Sequence, residues 1–264
     1  MKIKHRQQKI VEITRKQKRV TVEELAALLN ISRETIRRDL TDLAKYGKIQ
    51  KIHGGATLPR VFGEGSFQQR MSDNAEAKTR IAQAAVSLFE EGETLFIDTG
   101  STTLYLAEKL SEVSGLTIIT NSAEIAKVAS SDPANVKMVD NTNNRVFLLG
   151  GEFSLDNRQT IGTMVTSQIR LFRAHHAVLT IGALDGRTGA MDFNIDEAQV
   201  ARAMIEQSQS VTILMDSSKF DQLASFEVCS LARIDRIVCD RAPPPSLAEA
   251  MKNAGINVIQ AQQL

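Results

Sequence analysis

Apolar positions in the first sixty residues recur at helical spacing. Ile10 and Ile13, with Val20 continuing the row, predict a first helix that begins near His5. Thr21-Val22-Glu23-Glu24 has the form of a capping box, in which side chains satisfy the free N–H groups of a helix start. Leu25, Leu28 and Leu29 then share one face of a second helix, which Asn30-Ile31 interrupts. Ser32 is suited to cap a third helix, whose Ile36, Leu40 and Leu43 fall at i, i+4 and i+7 and face inward. Gly47 closes it as a C-cap. Lys48 to His53 alternates as a strand does, and Gly54-Gly55 turns it. Helix, short helix, three-residue break, helix and small hairpin predict a winged helix-turn-helix over residues 1–57.

Residues 58–75 contain Pro59, Gly63, Gly65 and several polar side chains, and read as an inter-domain connection. Beyond them, short apolar runs alternate with helical patterns. The predicted strands are Leu95–Asp98, Thr117–Thr120, Val146–Leu149, Ala177–Ile181, Val211–Asp216 and Ile237–Asp240. The predicted helices include 76–89, 102–111, 122–130, 161–172 and 195–207. Near-continuous apolar strands separated by helices imply a mostly parallel sheet covered on both faces. The fold class is therefore α/β, with the winged helix-turn-helix followed by a parallel α/β domain over residues 76–264.

Composition excludes several classes. With 42% hydrophobic and 24% charged residues, the 264-residue chain has the make-up of a globular protein. No apolar run approaches the roughly 18–20 residues of a membrane helix, and the charged N-terminus lacks a signal peptide's apolar core. Cys229 and Cys239 fit buried thiols of a reducing compartment, so a cytoplasmic location is expected. The formal net charge of +1 conceals a split. Residues 1–60 carry 15 basic and 6 acidic side chains, and the remainder is net −8. A basic end on an acidic chain points to a nucleic-acid or membrane partner.

The helix pattern decides between those partners. With Ile36, Leu40 and Leu43 inward, Ser32, Arg33, Glu34, Thr35, Arg37 and Arg38 face outward around the N-terminal half of the third helix. A helix end with arginines and hydroxyls suits the major groove of double-stranded DNA, because arginine can donate two bonds to guanine. Lys48, Lys51 and His53 of the wing would reach backbone or minor groove.

In the acidic part, ligands of a parallel sheet bind where strand ends turn into helices. The first strand ends Asp98-Thr99-Gly100-Ser101-Thr102-Thr103 and runs into a helix. A glycine that admits close approach, hydroxyls and free helix N–H groups make an anion cradle, suited above all to a phosphate. Thr120-Asn121-Ser122, Gly150-Gly151-Glu152, Gly182-Ala183, Asp196-Glu197 and Asp216-Ser217-Ser218-Lys219 add further polar strand ends. Together they predict one convergent pocket.

These residues carry a family resemblance. Asn30 to Ala56, NISRETIRRDLTDLAKYGKIQKIHGGA, resembles the signature of DeoR-family bacterial transcriptional repressors, with its T-I-R-R-D-L core and H-G-G-A wing end. The stretches TGSTTLYLAE, ITNS, GGE, DEAQVARAMI and DSSKF are similar to the same family's sugar-phosphate-sensing domain, which is related to ribose-5-phosphate isomerase. The resemblance implies a repressor relieved by a phosphorylated or sulfonated sugar or polyol, acting as a homodimer or homotetramer without cofactor or metal, and associated with the nucleoid when bound to DNA. It implies an effector pocket lined by Asp98, Thr99 to Thr103, Asn121, Gly150, Gly151, Glu197 and Lys219. Met191 to Asn194 and Asp240 to Pro245 lean toward the glycerol-3-phosphate and sulfosugar regulator branches. Some positions depart from the family pattern. Lys51-Ile52 stands where an arginine usually precedes His-Gly-Gly, Ser154 replaces an arginine, Asp221 replaces a glycine, and Lys137 to Arg145 looks inserted.

His175-His176 has no cysteine or carboxylate at metal-ligand spacing and reads as structural or interfacial. The alternative to a repressor is a sugar-phosphate isomerase with an accessory DNA-binding module, in which Glu197 and Lys219 would serve as acid–base groups. The attached winged helix argues against catalysis as the main task.

Overall fold

The computed structural model describes residues 3–17, 19–45, 49–52, 54–57, 65–130 and 144–262. The chain divides into two compact units, Met1–Gly65 and Ser66–Leu264.

The first unit packs helices Ile3–Gln17, Val22–Leu29 and Arg33–Lys45 beside a small antiparallel sheet. Its strands lie in the order Arg19–Thr21, Gly55–Thr57, Gln50–Ile52. Ile10, Val20, Leu25, Ile36, Leu40 and Ala56 form a core that is essentially closed to solvent. Val20 corrects the sequence reading. It belongs to the strand Arg19–Thr21, opposite Ala56, and not to the first helix. Thr21 and Glu24 form the capping box, and Asn30 ends the second helix in the left-handed region at φ 52°. Ser32 Oγ accepts from Thr35 N–H at the start of the third helix. Asp39, in the T-I-R-R-D-L stretch, is buried and paired with Arg6 of the first helix through two bonds of 2.5 and 3.0 Å. One of the basic residues is thus structural.

Gly54 turns the wing at φ 74°. Gly55 meets a harder constraint, since a Cβ there would lie 2.1 Å from the Val20 carbonyl oxygen. The adjacent strand approaches too closely for any side chain. Gly47, Lys48 and His53 lie outside the described residues.

The second unit is built on a seven-stranded, wholly parallel sheet. Across it the strands run Asn257–Gln260, Arg236–Cys239, Ser208–Met215, Ala174–Leu179, Thr94–Ile97, Thr117–Thr120 and Arg145–Leu148. Side chains alternate between faces with the period of two that a strand imposes. Phe96, Ile119, Leu179, Ile213 and Ile237 enter one core. Leu95, Ile97, Ile118, Val178, Leu214 and Val238 enter the other. Helices Ala75–Val86, Ser101–Leu110, Ala123–Ala129, Thr163–Ile169, Ile195–Glu206 and Pro245–Asn253 surround the sheet. A hairpin (Glu152–Ser154 with Gln159–Ile161) and a three-stranded antiparallel sheet (Ala183–Asp185, Gly189–Asp192, Phe226–Cys229) complete it.

The end of the expected connection is in fact ordered. Ser66 accepts from Gln69 N–H and opens the helix Phe67–Ser72, whose Phe67 is buried in the sheet's second core. Residues 58–64, and 137–143 of the apparent insertion, lie outside the described residues. Asn144, at the insertion's end, ties the sheet to a helix by accepting from Leu116 N–H and donating to Leu110 O. Among the described residues no helix is long and apolar enough to cross a membrane. Burial raises the Cys229 thiol to about 12 and the Cys239 thiol to about 11, so neither supplies a thiolate nucleophile.

Candidate functional site

The outward face of the helix Arg33–Lys45 is basic. The side chains of Arg33, Arg37 and Arg38 are 66%, 60% and 79% exposed. Glu34 lies 3.9 Å from Arg37 and 3.5 Å from Arg38, while Arg33 is 4.0 Å from Glu23. Exposed pairs of this kind are weak, about 0–1 kcal/mol, so the guanidinium groups can exchange them for phosphates or bases. Ser32 and Thr35 share a 2.8 Å hydroxyl contact. Lys51 Nζ donates to Thr41 Oγ1 at 3.0 Å, which places the wing's cation beside the same helix.

The second site lies at the carboxyl ends of four neighbouring strands, Ser208–Met215, Ala174–Leu179, Thr94–Ile97 and Thr117–Thr120. Residues there stand next to one another because the strands are parallel and in register. Asp98 is buried and accepts from Thr180 N–H with both oxygens, at 3.0 and 3.1 Å. Gly100 begins the helix Ser101–Leu110 without a side-chain cap, leaving first-turn N–H groups for a ligand. Gly100 has no room for a side chain, since a Cβ would come within 2.2 Å of Thr180 Oγ1. Ser101 and Thr102 are buried in the same turn. Thr103 is buried too, and its hydroxyl donates to the carbonyls of Asp98 and Gly100, which shapes the loop.

Two groups stand out for lack of partners. Thr99 Oγ1 and Asn121 Oδ1 are buried with no hydrogen bond among the described residues, an arrangement that costs about 1–3 kcal/mol unless a ligand or water completes it. Asn121 Nδ2 donates to Gln159 Oε1 and Thr160 O, which fixes its carbonyl oxygen outward from those bonds. Gln159 Nε2 and Asn157 Nδ2 converge on Glu197 Oε1 at 2.7 and 2.5 Å. Lys219 follows the strand Ser208–Met215, and burial lowers its pKa to about 8.

The Gly-Gly pair is placed differently from the expectation. Gly150 N–H donates to Gln168 Oε1, and Gly150 O accepts from Gln168 Nε2. A Cβ on Gly151 would lie 2.7 Å from Val165 and 2.8 Å from Ile161 O. The pair packs the hairpin against the helix Thr163–Ile169.

Sequence reasoning missed two cations. Lys78 is 4% exposed, and its ammonium donates to the carbonyls of Arg70 and Asp73. Arg70 Nη2 donates to Asn157 Oδ1 at 2.9 Å. Burial lowers the pKa of both, while Glu197, Asp192 and Asp98 oppose the shift at Arg70, and Asp216 does so at Lys78. Lys78 was detectable as a charge in the buried row Lys78, Ile81, Ala82, Ala85. Arg70 was signalled only by the capping pattern of Ser66 and Gln69.

Burial, with Asp192 and Glu197 nearby, raises Asp98 well above the usual carboxylate range. Asp192 rises to about 7, through burial first and Glu197 second. A carboxyl raised in this way holds its proton more tightly in the native state. Its stabilising contribution is complete below the unfolded pKa and is lost as pH climbs from about 4 through about 7. Asp192→Asn, which keeps an acceptor for Asn194 N–H, is therefore expected to raise stability, on the order of 1–3 kcal/mol at pH 8 and less at pH 5. Denaturant midpoints at the two pH values test this, and a pH-independent difference would refute it.

His175 and His176 sit at the opposite, amino end of their strand. His175 Nδ1 accepts from Thr94 N–H, and His176 Nε2 lies 3.0 Å from Glu93. Among the described residues no group of three or more His, Cys, Asp or Glu could hold a metal ion.

Two family models match the sequence: a DeoR-like helix-turn-helix domain over residues 6–61 and a DeoR C terminal sensor domain over residues 73–241. The glycerol-3-phosphate regulon repressor of Escherichia coli K12 is 33% identical over 98% of this chain and 99% of its own. The HTH-type transcriptional repressor CsqR of the same organism is 30% identical over 92% and 90%. The transcriptional repressor GlcR of Bacillus subtilis is 28% identical over 96% and 95%. Among solved structures, ribose 5-phosphate isomerase A of Methanocaldococcus jannaschii aligns with 56% of this chain and 55% of its own at 16% identity and TM-score 0.39. The β subunit of eIF2B from Chaetomium thermophilum aligns with 88% and 62% at 13% identity and TM-score 0.45.

Proposed function

The chain belongs to the DeoR family, and from that premise we infer that it is a DNA-binding transcriptional repressor of a carbohydrate or polyol operon, relieved by a phosphorylated or sulfonated sugar-type metabolite. The observation that carries this reading is the union, in one chain, of an exposed arginine face on a helix-turn-helix with a strand-end pocket that holds unpartnered polar groups and has partly buried cations beside it. Relatives named as repressors of sugar-related regulons support it, and favour regulation over catalysis.

In this reading Arg33, Thr35, Arg37 and Arg38 dock the third helix, with Ser32, Glu34 and Lys51 beside them. Thr99, the free N–H groups after Gly100, Asn121 and Lys219 hold the effector, with Asp98, Asp192 and Glu197 taking its hydroxyl groups. The effector lowers operator affinity by binding the two arrangements of the protein unequally, since equal affinity would shift nothing. Self-association is supported by Leu148, Phe153, Leu155, Met164 and Leu171, each more than half exposed within one stretch of the sensor unit. A homodimer or homotetramer would present recognition helices to repeated half-sites. When bound to operator the protein would be found with the nucleoid.

Arg37→Ala is expected to weaken binding to the duplex upstream of the protein's own transcription unit by about 10-fold, from the roughly 1–3 kcal/mol of a good arginine contact. It should also reduce the dependence on salt if Arg37 meets phosphate. Unchanged affinity and salt slope would discard this contact face. A thermal-shift screen of phosphorylated and sulfonated sugars and polyols tests the pocket, because a native-state ligand raises the unfolding midpoint.

A second reading, sugar-phosphate isomerisation, is favoured by one observation, the raised carboxyls Asp98 and Asp192 beside Glu197. Turnover of a sugar phosphate that survives deletion of residues 1–56 would put it first.

A further inference from the structure

The helix Phe67–Ser72 is the first element of the sensor unit, and Ser66 is where the chain arrives from the DNA-binding unit. A six-residue helix makes few bonds of its own, so its position is set from outside. Phe67 seats it in the sheet's second core, and the hydrogen bonds that fix the rest come from elements around the pocket. Tyr105 Oη, on the helix that opens at Gly100, donates to Met71 O at 3.1 Å. Lys78 Nζ donates to the carbonyls of Arg70 and Asp73, the latter at 2.8 Å. Asn74 Nδ2 donates to Asp216 Oδ1 at 3.0 Å, at the end of the strand that leads to Lys219. Arg70 donates to Asn157, whose own amide donates to Glu197.

Arg70 is the cation of a carboxylate group, with Glu197, Asp192 and Asp98 all acting on it. A phosphate entering the pocket competes with these carboxylates and with Asn157 for the guanidinium. The planar fork of arginine matches phosphate or sulfonate oxygens in pairs. A guanidinium drawn to the ligand pulls on the helix that carries it, and that helix has Ser66 at its other end.

We propose that Arg70 contacts the anionic group of the effector, and that the helix Phe67–Ser72 transmits occupancy to the chain segment entering from the DNA-binding unit. Binding and signalling then share one side chain. The inference deepens the effector reading above and rests on it. By linkage, operator occupancy changes effector affinity by the same factor as the effector changes operator affinity.

The test uses the full-length protein with glycerol 3-phosphate and inorganic phosphate as probes, read by calorimetry, and operator affinity with and without saturating probe. Arg70→Gln is expected to weaken probe binding about 10- to 100-fold, the effect of losing a charged hydrogen-bonding partner. Tyr105→Phe keeps the ring and removes only the bond to Met71 O. It should bind the probes within about threefold of wild type, yet lose most of the probe's effect on operator affinity. Unfolding midpoints near wild type establish that both variants are folded. Wild-type affinity for the probes in Arg70→Gln, or an undiminished probe effect in Tyr105→Phe, would overturn the proposal. A wild-type protein that binds neither probe overturns the phosphate reading of the pocket itself, and the inference with it.

Discussion

Gly55→Ala is expected to abolish operator binding, with a loss of 100-fold or more, while the sensor unit keeps its unfolding transition. The added Cβ would lie 2.1 Å from the carbonyl oxygen of Val20 and 2.9 Å from the Cα of Thr21. Both are backbone atoms, so no rotamer change relieves the overlap, and the strand Gly55–Thr57 must part from Arg19–Thr21. Overpacking costs typically 1–3 kcal/mol where side chains can shift, and more where they cannot. A small domain has little stability to lose, since it buries a smaller share of its surface than a large one. The loss falls on the wing and on the core that includes Val20 and Ala56. Gly54→Ala is the informative comparison. It has open space around its Cβ and a φ of 74°, so it should cost only about 1–2 kcal/mol. Scanning calorimetry paired with operator titration would resolve the two, and equal behaviour of the variants would contradict the close-approach argument.

Gly100→Ala is expected to leave operator affinity within about threefold of wild type and to make it unresponsive to effector. The new methyl would lie 2.2 Å from Thr180 Oγ1 and 2.9 Å from Thr180 Cγ2. Rotation of a β-branched side chain exchanges one obstruction for the other. The backbone of Thr180 must then move, and its N–H is the donor that holds Asp98. The cradle and the carboxylate next to it shift together. A penalty of about 1–3 kcal/mol corresponds to roughly 10- to 100-fold weaker effector binding. Effector-driven operator release, followed by fluorescence anisotropy, is the measurement. A normal response would remove the loop from the effector site.

How far the fold was legible depends on how much apolar periodicity each element displays. The helix Arg33–Lys45 buries Ile36, Leu40 and Leu43 at helical spacing, with Asp39 as the one buried charge beside them, so its apolar pattern was plain. The central strands are buried on both faces and read as unbroken apolar runs. The strand Asn257–Gln260 sits at the sheet's edge with its ends exposed, and presents no such run. The three-residue strands of the hairpin are too short to show a period at all. The cradle at Asp98 to Thr103 was visible because a strand-to-helix turn keeps its residues together in sequence. The convergence of Asn157, Gln159 and Glu197 was not, because it joins a hairpin to a helix some forty residues on. Arg70 was hidden most effectively. Beyond the capping spacing of Ser66 and Gln69, one buried phenylalanine in a six-residue helix leaves no apolar period to set it apart from a linker.

The strand Arg145–Leu148 has one further consequence. It is the last strand on its side of the sheet, and it receives the chain from residues 131–143 at its first residue. The pocket lies at the opposite ends of the parallel strands. Residues inserted before Arg145 precede the amino end of this strand, opposite the strand ends that form the proposed pocket. Closing a longer connection costs about 0.6 kcal/mol more for each doubling of its length. A change of length at that point is then separated along the strand from the proposed pocket, so the two can vary independently of one another.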